Sequence, residues 1–188
     1  FTSKLDSFFT NNDSMGEGAS SDITGLIGQY AHGNEPSHHI AYLYTYAGEQ
    51  WKTAEKVRFI MSDFYTDQPD GIIGNEDCGQ MSAWYILSSM GFYSVCPGTD
   101  QYVLGAPYLP YIKVALENGK TFEVKADKVS DKNRYVKSVK LNGKPYTKGF
   151  ITQQDIMDGG TLTFEMTSSP NKKRVFNGTD RPYSLSSN

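Results

Sequence analysis

Residues 70–84 read Asp70-Gly-Ile-Ile-Gly-Asn-Glu-Asp-Cys-Gly-Gln-Met-Ser-Ala-Trp84, a loop with three acids and three glycines that runs straight into residues at helical spacing. Met81, Trp84, Tyr85 and Ser88 form one face of that helix, and Gly91 closes it. The loop therefore presents carboxylates at a helix N-terminus, where free backbone N–H groups and the macrodipole favour negative charge. Two readings follow. Either Asp77 or Asn75 caps the helix by satisfying its orphan amides, or the loop is a reactive or cation-binding site.

A second loop, His32-Gly-Asn-Glu-Pro-Ser-His-His39, repeats the combination of glycine, amide and carboxylate before a helix. Pro36 suits a first helical turn, Ile40, Leu43, Tyr44 and Ala47 recur at helical spacing, and Gly48 can stop the helix in the left-handed conformation. Two Gly-Asn-Glu loops, each feeding a helix, suggest two carboxylate clusters at one end of a helical array. That arrangement lets a hard cation with oxygen ligands and a general base share a pocket.

The wider chain sorts into two halves by apolar period. Helices are expected near 1–10, 22–31, 36–47, 53–65 and 79–91, with Ala54, Val57, Ile60, Met61 and Phe64 as one stripe. Short loops join them as antiparallel neighbours, as in a helical barrel or bundle. After Pro97-Gly98 the pattern becomes strand-like. Val114–Leu116 and Thr121–Val124 flank the turn at Asn118-Gly119, Val136–Leu141 leads into Asn142-Gly143, and Thr161–Met166 alternates after Gly159-Gly160. Thr152-Gln-Gln-Asp155 matches a capping box with Asp in the usual Glu/Gln place. The expected fold class is α+β: a helical unit at 1–98 followed by an antiparallel β unit at 99–188, the latter without a dense cluster of reactive side chains.

Composition narrows the function. The 188 residues suffice for one large or two small domains. A net charge of −3 with scattered Lys and Arg argues against a nucleic-acid surface, and the one dense cluster, Lys172-Lys173-Arg174, reads as a solvated strand or loop edge. No apolar run approaches a membrane span. Thirteen Tyr against two Trp suit sugar pockets and half-buried surfaces alike. The two cysteines, Cys78 and Cys96, read as buried thiols, with a disulfide between them as the alternative, and have no zinc-like spacing. Phe1, Leu5, Phe8 and Phe9 mark a helix already in progress at the first residue, so the chain reads as a piece of a longer protein whose targeting segment lies elsewhere. Sequons stand at Asn12-Asp-Ser and Asn177-Gly-Thr.

Taken in order, Gly33-Asn-Glu-Pro-Ser-His-His-Ile40, Tyr42-Leu-Tyr44, Asp70-Gly71, Gly74-Asn-Glu-Asp-Cys-Gly-Gln-Met-Ser-Ala-Trp84 and Gly91-Phe-Tyr93 closely resemble the C-terminal portion of the calcium-dependent α-mannosidases of glycoside hydrolase family 92. That family joins an N-terminal β-sandwich to an (α/α)6 barrel and a small β region, and removes terminal mannose with inversion. The resemblance implies that this chain carries the C-terminal part of the barrel and the β region, while the sandwich and the rest of the barrel lie outside it. It further implies a mannose-containing glycan with α-1,2 or related linkages as substrate, Ca2+ as cofactor, no nucleic-acid partner, and a secreted or periplasmic location in a bacterium.

Residue by residue, the resemblance makes Asp77 the general base and Asn75 its supporting position. Many members carry a second Asp at the latter, and an amide cannot share a proton, so the burden falls on Asp77. Glu35 matches the calcium ligand, with Asn34 beside it. His38 and His39 stand where substrate is contacted, although at a helix start hydrogen-bonded structural roles are their plainer reading. Glu17 lies near the expected leaving-group side, and a solvated loop acid is its plainer reading. Trp84, sharing a stripe with Met81, reads as barrel core, and Glu76 as a salt-bridged neighbour. The family's general acid comes from an earlier Glu motif that nothing in residues 1–188 matches, which implies that the chain alone is inactive. The competing reading is a non-catalytic carbohydrate-binding or scaffold module built on the β half. Clustering of the acids in two helix-start loops favours the enzyme.

Overall fold

The structure is a computed structural model that describes residues 1–12 and 23–185. Helix α1 (Thr2–Thr10) buries Leu5 and Phe9, as its apolar spacing predicts. The helix expected at 22–31 does not form over the described part of that range. Gly25 and Gly28 adopt φ of 63° and 62°, which right-handed helix excludes, and the chain instead makes a hairpin of β1 (Leu26–Ile27) and β2 (Tyr30–Ala31). Its turn is tied to α1 by Gln29 N–H donating to the Phe8 carbonyl at 2.8 Å.

The helix expected at 36–47 winds right-handed but tightens, with 3-10 turns at Glu35–Ser37 and Ile40–Tyr42 before α2 (Leu43–Tyr46). The buried residues explain the tightening: Ala41 with Tyr44 and Tyr42 with Thr45 are three apart, the spacing that 3-10 geometry superimposes. Helix α3 (Gln50–Asp63) follows, and α4 (Gln80–Ser89) begins where the acidic loop ends.

The remaining chain builds two sheets. β3 (Phe92–Tyr93), β4 (Gln101–Leu104) and β9 (Phe150–Thr152) form a three-stranded antiparallel sheet that joins the end of α4 to the strands beyond it. The larger sheet has the order β5-β6-β10-β7-β8, from β5 (Tyr111–Ala115), β6 (Thr121–Asp127), β7 (Tyr135–Leu141), β8 (Lys144–Pro145) and β10 (Gly160–Thr167). It is mixed, which corrects the antiparallel expectation: the central strand β10 runs parallel to β6 and antiparallel to β7. The reversal comes from α5 (Gln153–Met157), which forms the crossover that parallel pairing requires. Helix α5 starts on the expected capping box, with Thr152 Oγ1 accepting from Asp155 N–H and Asp155 accepting from Thr152 N–H at 2.8 Å. Asn142 and Gly143, at φ 52° and 79°, make the two-residue turn between β7 and β8.

Strand β7 buries Val136 and Val139, an odd spacing that simple alternation forbids. The pairing shifts between Glu165 and Met166, so Lys137 is an extra residue in the ladder, and the bulge returns Val139 to the inner face. The displaced Lys137 ammonium binds Glu165 at 2.7 Å.

Two cores result, and α3 belongs to both. Ala54 belongs to the same buried cluster as Phe122, Val124, Leu162, Phe164 and Met166 of the sheet. One turn on, Val57, Ile60 and Met61 join Phe9, Tyr30, Tyr42, Tyr44 and Trp84. The start of α3 is also held by polar contacts. Gln50 donates to the Gly105 carbonyl at 2.8 Å and accepts from Arg174 Nε at 2.7 Å. Arg174 is thus partly buried, its guanidinium 5.1 Å from the Phe176 ring, and burial brings its pKa down to about 10. Only Lys172 and Lys173 of the basic cluster occupy a solvated edge. Both cysteines are free and exposed, against the expectation of buried thiols.

Phe164 is fully buried at the centre of the sheet core. Phe164→Ala is expected to cost about 3–5 kcal/mol, read as a lower urea midpoint with an unchanged slope.

Candidate active site

The two Gly-Asn-Glu loops meet backbone to backbone. A Cβ on Gly74 would lie 2.7 Å from Thr24 Oγ1 and 3.4 Å from the Gly33 Cα, so glycine at both motif positions lets the loops touch. Beneath them sits His32, fully buried. Tyr65 donates its hydroxyl to the Met81 carbonyl at 3.1 Å and so must accept from His32 Nε2–H at 2.7 Å. His32 Nδ1 is left as the acceptor of the Tyr30 hydroxyl at 2.8 Å. The ring is a neutral Nε2–H imidazole, and burial, assisted by the nearby His38, brings its pKa down to about 3.

His38 is buried as well. Its Nε2–H donates to the His32 carbonyl at 2.8 Å and its Nδ1 accepts from Gln80 Nε2 at 3.0 Å. Gln80 spends its other donor on the Tyr93 hydroxyl at 2.9 Å, and the indole of Trp84 donates to the His38 carbonyl at 3.1 Å. Burial lowers the His38 pKa against the opposing pull of the His32 carbonyl and of the Glu35 and Asp77 carboxylates. Both acids are thus close enough to act on one imidazole.

Above this floor lies an open cavity of about 500 Å3, lined by Glu35, His38, His39, Gln80 and Tyr93 together with Pro36, Ser94, Val95 and Pro97. It brings together the predicted Glu35, His38 and His39. Asn34 is exposed in the same loop. Asn75 is exposed and Asp77 half-buried in the facing loop. Glu17 lies outside the described residues. Gln80 and Tyr93 are the lining residues that sequence reasoning missed. Gln80 directly follows the acidic loop and Tyr93 ends the Gly91-Phe-Tyr93 motif, so position alone could have flagged them.

The facing loop has an unusual backbone. Asp77, Cys78 and Gly79 take φ of 54°, 58° and 93°, three successive left-handed residues immediately before α4. Cys78 is exposed in this turn. Among the described residues Glu76 makes no salt bridge. Its carboxylate accepts from the Ser82 amide at 3.0 Å and from the Ser82 hydroxyl at 2.8 Å.

The donors of the first loop, the Glu35 carboxylate and the Asn34 amide, are oxygens on exposed side chains, which suits a hard cation such as calcium. Among the described residues no group of three or more His, Cys, Asp or Glu is placed to hold a metal ion. Glu35 and Asn34 therefore fit part of a shell of about six to eight oxygens, not a closed cage.

The family model described as the glycosyl hydrolase family 92 catalytic domain matches residues 1–168. A family GH92 α-mannosidase of Bacteroides thetaiotaomicron, solved in complex with mannoimidazole, superposes with a TM-score of 0.93 at 45% identity, covering 98% of this chain and 24% of that one. A GH92 inverting mannosidase of the same organism superposes at 0.83 with 37% identity, covering 98% of this chain and 26% of that one. An uncharacterized secreted glycosidase of Arthroderma benhamiae is 32% identical over 133 residues, 69% of this chain and 17% of that protein. The chain thus spans about a quarter of the length of the solved relatives.

The histidine floor makes the structure acid-sensitive. The folded pKa of His32 lies below its usual 6.5, so the stability of the neutral ring is present above that value and is lost as pH falls toward about 3. The urea midpoint is expected to decline as pH drops below 6.5, while NMR of the His32 imidazole reports a neutral ring from pH 8 to 4.

Proposed function

Because this chain belongs to glycosyl hydrolase family 92, we propose that it carries the general-base and cation-binding side of an exo-acting, inverting α-mannosidase site. Its helices α1 to α4 form the C-terminal part of an (α/α)6 barrel. The observation that supports the reading is the meeting of the two loops: Gly74 lies against Gly33, which brings the loop of Glu35, a residue lining the cavity, against the loop in which Asp77 follows the second Gly-Asn-Glu motif.

In this reading Asp77 takes a proton from the water that attacks the anomeric carbon, on the face opposite the departing oxygen. Asn75 offers that water a hydrogen bond and cannot hold its proton. Glu35 and Asn34 would hold calcium, which would supply Lewis acidity and oxygen affinity for vicinal sugar hydroxyls. His39 contacts the sugar from the cavity wall. His38 shows the sugar its ring, both nitrogens being already engaged. Tyr93 and Gln80 complete the wall.

The proton for the leaving oxygen comes from a Glu elsewhere in the whole protein, so residues 1–188 alone hydrolyse no mannoside. A secreted location is supported by the description of the Arthroderma relative as secreted, and among the described residues no helix is long and apolar enough to cross a membrane.

In the whole enzyme, Asp77→Asn is expected to lower kcat by about 10²–10⁴-fold with a much smaller change in KM, measured on aryl α-mannoside and a panel of mannobioses. Wild-type kcat would remove Asp77 from the base role. Glu35→Gln is expected to weaken calcium binding in calorimetric titration without substrate while leaving thermal unfolding of the calcium-free protein nearly unchanged. An unaltered calcium affinity would show that Glu35 is not a ligand.

A further inference from the structure

Glu76 stands between the two residues assigned to the reaction, yet its carboxylate is committed to the first turn of α4. It accepts from Ser82 N–H and Oγ–H, and its own carbonyl accepts from Met81 N–H at 3.2 Å. The segment enclosed by these bonds is the left-handed run Asp77-Cys78-Gly79.

Left-handed backbone is unfavourable by roughly 1–2 kcal/mol for each non-glycine residue and occurs as single residues rather than runs. Such a run persists only where its surroundings over-determine it. Gln80 N–H to the Asp77 carbonyl at 3.2 Å and Ala83 N–H to the Gly79 carbonyl at 2.9 Å add to the closure, but both lie within the turn and helix they stabilise. The carboxylate of Glu76 is the side chain that clamps the start of the run to the helix beyond it. Released, the Asp77 backbone would relax toward right-handed angles and swing its carboxylate with it.

We propose that Glu76 is the positioning residue of Asp77: clasped to Ser82, it holds the left-handed turn that aims the base. It takes up no proton and touches no sugar. This inference rests on the assignment of Asp77 as base, and displacement of a reacting group by 1 Å can cost about 10²-fold in rate.

The test uses the whole enzyme, assayed well below its unfolding temperature. Glu76→Ala is expected to lower kcat by about 10²-fold with KM within a few-fold. It should also speed amide deuterium exchange at Cys78–Ser82. Glu76→Gln should restore most of the rate, because its amide oxygen can accept from Ser82 N–H while its amide nitrogen donates to Ser82 Oγ. In the Asp77→Asn background, Glu76→Ala should slow the enzyme no further. Wild-type kcat in Glu76→Ala, while Asp77→Asn is slow, overturns this inference alone. A Gln variant as slow as the Ala variant, or full additivity in the double variant, also overturns it, since the charge of Glu76 would then act directly. Wild-type kcat in Asp77→Asn overturns the base assignment and this inference with it.

Discussion

A neutral imidazole in the interior, His32, is the constraint on which the site depends. Its ring takes a hydrogen bond from Tyr30 on the β1–β2 hairpin and gives one to Tyr65, just beyond α3. Its carbonyl receives the His38 imidazole, and Trp84 of α4 stands edge-on to it at 4.4 Å between centroids. Tyr65 and Trp84, distant in sequence, thus converge with the nearby Tyr30 and His38 on one residue whose ring must stay uncharged to remain buried. A protonated His32 would have two N–H donors, and its Nδ1–H would oppose the donating hydroxyl of Tyr30. Tautomer, hydrogen-bond direction and burial therefore specify one another.

The floor and the rim divide the chemistry between them. Below, His32 and His38 are desolvated, neutral and saturated with partners, which suits the fixing of loops. Above, Glu35 and Asn34 are exposed and Asp77 is half-buried, open to solvent and ligand. Glu76 and Asp77 show how little sequence separates the two roles: one carboxylate is bound to a helix turn while its neighbour sits at the start of a strained turn.

What was legible in the sequence was local and periodic. The stripes of α3 and α4, the capping box of α5 and the Asn142-Gly143 turn each rest on a few neighbouring residues, and each is present. The shared Gly-Asn-Glu motif ahead of a helix also marked the two loops that meet at Gly33 and Gly74. What escaped depended on distant partners. Leu26, Ile27, Tyr30 and Ala31 match a helical period, but two left-handed glycines turn them into a hairpin. The parallel pairing of β10 with β6 depends on where α5 returns the chain, and Val136 with Val139 needs a bulge that no alternation pattern displays. Arg174 looked solvated because Gln50 and Phe176, which cover it, are not adjacent to it in the sequence.

The sharing of α3 between the two cores gives the chemically plain sheet a part in the site. With Ala54 seated on the sheet and Val57, Ile60 and Met61 under the histidine floor, α3 cannot leave one core without disturbing the other. A fluctuation that opens the floor on the α3 side must also begin to peel the helix from β7. The cost of that local excursion is thereby raised toward the cost of undoing the whole assembly, so the loops stand on one of its least yielding parts.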